Sequence, residues 1–191
     1  QIVRTVMSTR NLLYVENKLD PDSFSRRIAN EMEPALIAAA VKILQQISQL
    51  IVVPNVCWER GEIDILIFNP DENAALQVQA KAAIPPEGAR MTRAMETRIA
   101  EAIPQLERLH QENANTIDEL ISRAIKRKVR AVTVYDAVLT SSCFGTSTVW
   151  QRMKEMAALN LPLLATVVGE IRSNNEQKPI ARLAATAIEI L

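Results

Sequence analysis

Two short alternating runs, Gly61 to Ile67 and Leu76 to Lys81, limit what this chain can fold into more than any other stretch. Between them lies Asn69-Pro70-Asp71-Glu72-Asn73, a cluster of residues that favour a tight reversal. A reversal centred between Asp71 and Glu72 sets Asp64 opposite Gln79 and Glu62 opposite Lys81. The expected hairpin then has one polar face made of these four residues. Its other face carries Ile63, Ile65 and Ile67 against Leu76, Val78 and Ala80, and burial of that face fixes the register.

An acid, an amide and a lysine on adjacent strands suit divalent-metal chemistry on a phosphodiester. A carboxylate and an amide oxygen are hard ligands for Mg²⁺, and an ammonium group can orient water or stabilise developing negative charge. The same face also reads as a solvated strand surface with an ordinary cross-strand Glu62–Lys81 pair, so spacing alone leaves both readings open.

The pattern resembles the PD-(D/E)xK nuclease superfamily, whose restriction-endonuclease-like fold carries an Asp on its second strand, Glu-x-Lys on its third and often a Glu on its first helix. The resemblance extends over roughly Phe24 to Leu109. It implies that Asp64 is the metal-binding aspartate, Lys81 the catalytic lysine and Glu33, with Glu31 as alternate, the helix acid. Gln79 stands where most members have Glu, as in Mrr-type enzymes, and Asn55 resembles an Asn that precedes the Gly-Glu-Ile-Asp string in a family of small bacterial endonucleases. The implied metal ligands are Asp64, Gln79 and the carbonyl of Ala80; the implied ion is Mg²⁺, with Mn²⁺ as a substitute. Because an amide supplies no charge, Gln79 weakens the hold on a metal relative to a carboxylate.

The expected fold class is α/β, a central mixed sheet of about five strands flanked by helices, with an αβββαβ core and C-terminal additions. Only 4 glycines and 48% hydrophobic residues among the 191 favour helices over a many-stranded barrel. The domain is expected over residues 21–191 after an N-terminal extension, residues 1–20, as a fragment of something longer. Asp22 is the expected cap of a helix running from Phe24, which Pro34 restarts or kinks. Ile51 to Trp58 reads as the first strand, with Trp58-Glu59-Arg60 near the mouth of the site. Helices are expected over Ala89 to Gln111, Thr116 to Lys128 (capped by Asn115 or Thr116), Trp150 to Leu159 and Ile180 to Leu191. Further strands are expected at Ala131 to Leu139 and Leu161 to Gly169.

With 22 basic and 22 acidic side chains there is no global attraction to nucleic acid, so any contact depends on local patches. Arg90 and Arg93 follow the third strand, and Arg123, Lys126, Arg127 and Lys128 form the densest basic cluster; these six are the candidate phosphate-binding residues. Cations at a helix C-terminus also answer the helix dipole, an equally good account of the cluster. The single His110 reads as a surface residue. Cys57 and Cys143, far apart and without His partners at metal spacing, read as reduced buried thiols of a cytoplasmic protein. No apolar window is long and uncharged enough for a membrane span. DNA is the expected substrate, RNA sharing the same chemistry, with a homodimer or further domains as expected partners. The rival expectation is a catalytically weak or inactive module that binds nucleic acid or a protein through the same fold.

Overall fold

In the computed structural model, residues 9–83, 89–141, 147–153 and 156–187 are described. The chain is α/β: a five-stranded mixed sheet in the order β1-β2-β3-β4-β5, with helices on both faces. β1 (Ile51–Trp58), β2 (Gly61–Asn69) and β3 (Ala74–Lys81) form an antiparallel meander, and β4 (Thr133–Thr140) and β5 (Ala157–Asn160) continue parallel to β3. The register expected from the turn is the one observed, with Ile65 opposite Val78 and Ile67 opposite Leu76.

One face of the sheet packs under α1 (Thr9–Leu19), α2 (Pro21–Arg27), a π turn (Ile28–Met32) and α3 (Glu33–Leu44), together with α7 (Leu161–Ser173) and α8 (Pro179–Ala184). Phe24, Leu36, Ala40 and Leu44 meet Ile65, Ile67, Leu76, Val78 and Leu139 there. The π turn has a packing reason. Ile28 and Leu36 are eight residues apart, about 80° out of phase on an α-helix, and the wider turn absorbs about one residue of rotation so that both enter the same core. Pro34 then falls in the first turn of α3, where its missing N–H costs little.

The opposite face packs under α4 (Ala89–His110), α5 (Ala114–Ile125) and α6 (Ser147–Arg152). Because helices cover this face too, β3 is buried at every position and Leu66, Phe68 and Ala75 are core residues. The expectation of a continuous polar hairpin face is thereby corrected, since a sheet covered on both sides loses the two-residue alternation.

A second correction concerns Ile63. It packs with Val56, Leu66 and Phe68 on the α5 side, away from Ile65 and Ile67. β1 and β2 keep one register along their whole length, but Asn55 and the residue facing it, Asp64, are skipped in the ladder, and Asn55 is left-handed at φ 52°. Both strands therefore change faces at this point, as a bulge would make one strand do. The swap turns Val56 inward and Cys57 outward, so Cys57 is a free, exposed thiol, not a buried one; Cys143 lies outside the described residues.

Several boundaries differ from expectation. Asp20, not Asp22, caps α2, because Pro21 occupies the first turn; its carboxylate accepts the Ser23 N–H at 3.0 Å. Asn113 caps α5 by accepting the Thr116 N–H at 3.0 Å, two residues ahead of Asn115. Leu161 to Gly169 is helical, and the strand is the preceding four residues, Ala157–Asn160, the first three of which were expected to end a helix. Asn160 caps α7 through the Leu163 N–H at 2.9 Å, and the buried Leu164, Val167, Val168 and Ile171 recur at helical spacing. Among the described residues no helix is long and apolar enough to cross a membrane.

Candidate functional site

At the end of the sheet beyond the last assigned β2–β3 pair, Ile65 with Val78, side chains replace the backbone ladder. The Asp64 carboxylate accepts the Ala80 N–H at 2.6 Å, taking the place of a strand carbonyl. The Gln79 side-chain amide donates to the Glu62 carbonyl at 2.6 Å, and Gln79 is 3% exposed. Lys81 is buried on the same face as Gln79 and stands beside Thr140 of β4, whose hydroxyl is buried without a hydrogen-bond partner among the described residues. The skipped pair at Asn55 and Asp64 is what frees the Asp64 side chain for this role, since in a regular ladder it would lie in the core with Leu66.

Burial is the main influence on Asp64 and pushes its carboxyl up to about 6. The Ala80 N–H and the Lys81 charge pull in the opposite direction, while Glu62 and Glu33 push it up further. Asp64 thus senses Lys81, Glu62 and Glu33 together. Glu33, at the start of α3 directly after the π turn, has one buried oxygen without a hydrogen bond; the Arg98 guanidinium of α4 is 3.6 Å from it. The structure therefore brings Asp64, Gln79, Lys81 and Glu33 to one end of the sheet from three elements. Glu31 is exposed and lies 3.8 Å from Arg27.

Among the described residues no three His, Cys, Asp or Glu side chains are placed to hold a metal ion. The donors at this end are the Asp64 and Glu33 carboxylates, the Gln79 amide and the backbone. This set still matches the habits of Mg²⁺, which keeps several waters and uses one or two carboxylates. The Glu33 oxygen accepts no hydrogen bond, although the Arg98 guanidinium lies 3.6 Å from it, and Asp64 is raised chiefly by burial.

The candidate phosphate-binding residues are not gathered here. Arg93 is exposed in the first half of α4, while the side chain of Arg90 lies outside the described residues. Arg123 lines a cleft of about 520 Å³ with Trp58, Glu59, Arg60, Glu112 and Glu119, where Arg60 is bound to Glu112 at 2.6 Å. Lys126, Arg127 and Lys128 follow α5 and lie by the β2–β3 turn, at the other end of the sheet from Lys81.

One polar unit had no signal in the sequence. His110 contacts both carboxylate oxygens of Asp136 at 2.9 Å, and Asp136 also accepts the amide N–H of the buried Gln77 at 2.6 Å, which in turn reaches the Leu106 carbonyl. These residues join α4 to β3 and β4, bringing together positions 26 and 59 apart in the chain, beyond the reach of spacing arguments. Asp136→Ala is expected to cost about 1–3 kcal/mol by leaving Gln77 and His110 without their acceptor. A urea midpoint unchanged at constant m-value would contradict this.

No protein-family model matches the chain, and no curated protein matches it either.

Proposed function

We propose that this chain is a restriction-endonuclease-like, metal-dependent hydrolase of DNA phosphodiesters acting in the cytoplasm. The observation that carries the reading is the convergence of Asp64, Gln79, Lys81 and Glu33 at one sheet end, with Asp64 raised to about 6 by burial. Asp64, the Gln79 amide oxygen and the Ala80 carbonyl would hold Mg²⁺ or Mn²⁺, with Glu33 reaching it through water. The bound ion would supply charge stabilisation at the scissile phosphate and a more acidic water. Lys81, buried close enough to Asp64 for its charge to be felt there, would orient the attacking water and give an N–H to a phosphoryl oxygen. The Ala80 N–H fixes the Asp64 carboxylate, leaving its second oxygen for the ion.

A second reading, a weak or inactive module of the same fold that binds nucleic acid or a protein partner, is favoured by one observation. The Gln79 amide is already committed to the Glu62 carbonyl, so the charge that a third acid would supply is absent. RNA shares the chemistry of either reading.

Mg²⁺- and Mn²⁺-dependent cleavage of single- and double-stranded DNA and of RNA separates these. Lys81→Ala is expected to lower the cleavage rate by about a hundredfold or more with metal binding retained. Cleavage that persists in both Asp64→Ala and Lys81→Ala would refute the site; metal binding without cleavage would favour the second reading.

A further inference from the structure

The loop from Lys126 to Val132, between α5 and β4, is held tightly by groups other than its own cationic side chains. Asp118 accepts the N–H groups of Ala131 and Val132 at 2.8 and 3.2 Å, and the Ser122 hydroxyl accepts that of Val129 at 3.0 Å. Asn73, in the β2–β3 turn, donates to the carbonyls of Arg130 and Ala131 at 2.9 and 3.0 Å. These bonds keep Ala131 in the left-handed region at φ 51°, a conformation that costs a non-glycine residue about 1 kcal/mol or more, while Lys126, left-handed at φ 55°, is the C-terminal cap of α5 with its N–H on the Ser122 carbonyl. The chain thus maintains a strained, rigid loop whose exposed side chains include four cations within five positions, Lys126, Arg127, Lys128 and Arg130.

Three of these, Arg127, Lys128 and Arg130, line a cleft of about 370 Å³ with Phe68, Pro70, Asn73 and Val129. Among the described residues no carboxylate lines it. Two nearby acids are engaged, Asp118 by the loop through both oxygens and Glu72 by the N–H groups of Ile180 and Ala181, while Glu119 lines an adjoining cleft with Lys128 and Arg130. Asp71 is exposed in the turn itself. Among the described residues, no ion pair joins any of the three cations to an acid. A helix-dipole role does not account for Lys128 and Arg130, which lie past the C-terminal turn of α5.

We propose that this cleft is a second anion site, which takes backbone phosphates of the nucleic acid at a distance from the hydrolytic end. The inference rests on the nuclease-fold reading above. From Asn73 to Lys81 the strand advances eight residues, about 26 Å at 3.3 Å per residue. At 3.4 Å per step that is about 8 base pairs of duplex. A duplex longer than this spans both ends of the sheet, whereas a shorter one engages a single end.

The test measures binding without hydrolysis, by fluorescence anisotropy in EDTA, using the Asp64→Asn chain and duplexes from 6 to 30 base pairs closed as hairpins. Affinity is expected to step up beyond about 8 base pairs, and the step is expected to vanish when Arg127, Lys128 and Arg130 are all changed to Ala. For the 30-base-pair duplex that triple variant is expected to bind roughly tenfold to a hundredfold more weakly at about 0.15 M salt, with the salt slope shallower by roughly 2 to 3. Arg26→Ala with Lys42→Ala, on the helices covering the other face, is the charge control. Equal losses in control and triple variant, an unchanged salt slope, or binding of inorganic phosphate or anionic vesicles without duplex binding would each overturn the proposal. Because no metal or cleavage is involved, a failed hydrolysis assay on the wild-type chain leaves this result separately readable.

Discussion

Asp64→Asn is expected to abolish metal-dependent cleavage while making the folded protein more stable at pH 8. The loss in rate should be on the order of a thousandfold or more, about 4 kcal/mol, because an amide supplies no charge to a metal ion. The stability gain follows from the raised carboxyl. Its pKa lies at about 6 in the folded chain against 3.8 when unperturbed, so the folded state holds a proton that the unfolded chain has already released. Asp64 therefore costs nothing below about pH 4. The penalty grows as the pH rises through about 6 and reaches up to roughly 3 kcal/mol, before solvent screening reduces it. Asn keeps an acceptor for the Ala80 N–H and removes the buried charge. Urea midpoints of the two proteins should coincide near pH 4 and separate in the variant's favour above pH 7; equal midpoints at pH 8 would show that Asp64 is not a strained carboxylate. For the same reason wild-type cleavage should rise with pH through about 6.

Gln79→Glu should do the reverse. By analogy with the commoner acid at this position, the substitution would complete the site, but the Gln79 N–H lies 2.6 Å from the Glu62 carbonyl in a nearly closed environment. A carboxylate there sets oxygen against oxygen and adds a third negative charge beside Asp64 and Glu33. In EDTA at pH 8 the variant should lose about 3–5 kcal/mol, the usual consequence of an uncompensated buried charge, and recover much of it near pH 5 as the new carboxyl takes up a proton. Mg²⁺ should bind more tightly and restore stability in proportion to its concentration. Full stability in EDTA at pH 8 would mean that the amide bond to Glu62 contributes nothing.

The α/β class, the hairpin register and the positions of β1 to β4 were legible because they rest on local signals: turn residues, alternation and apolar runs. β5 was not, since four buried residues, Ala-Ala-Leu-Asn, carry no period. Leu161 to Gly169 was expected as a strand and holds the β-branched Thr166, Val167 and Val168, but the Asn160 cap and the helical spacing of its buried residues make it a helix. At the site, the grouping of Asp64, Gln79 and Lys81 followed from register. The change of faces at Asn55 and Asp64 did not, because no pattern in one strand reveals a residue skipped in both. The separation of Lys126, Arg127 and Lys128 from that end was equally hidden, since it depends on how α5 returns across the sheet.

The π turn before Glu33 has a consequence for how this chain can vary. It carries one residue more than an α-helix of the same span needs; Ile28 opens it and Glu33 follows it. Deleting a residue within Ile28–Met32 would leave a regular helix whose two halves can no longer both be satisfied: either Phe24 and Ile28 leave the core, or Glu33 swings by about 100° away from Asp64. The length of this segment is therefore held by anchoring at one end and by acid placement at the other. Substitutions here can be absorbed far more easily than a change in the number of residues.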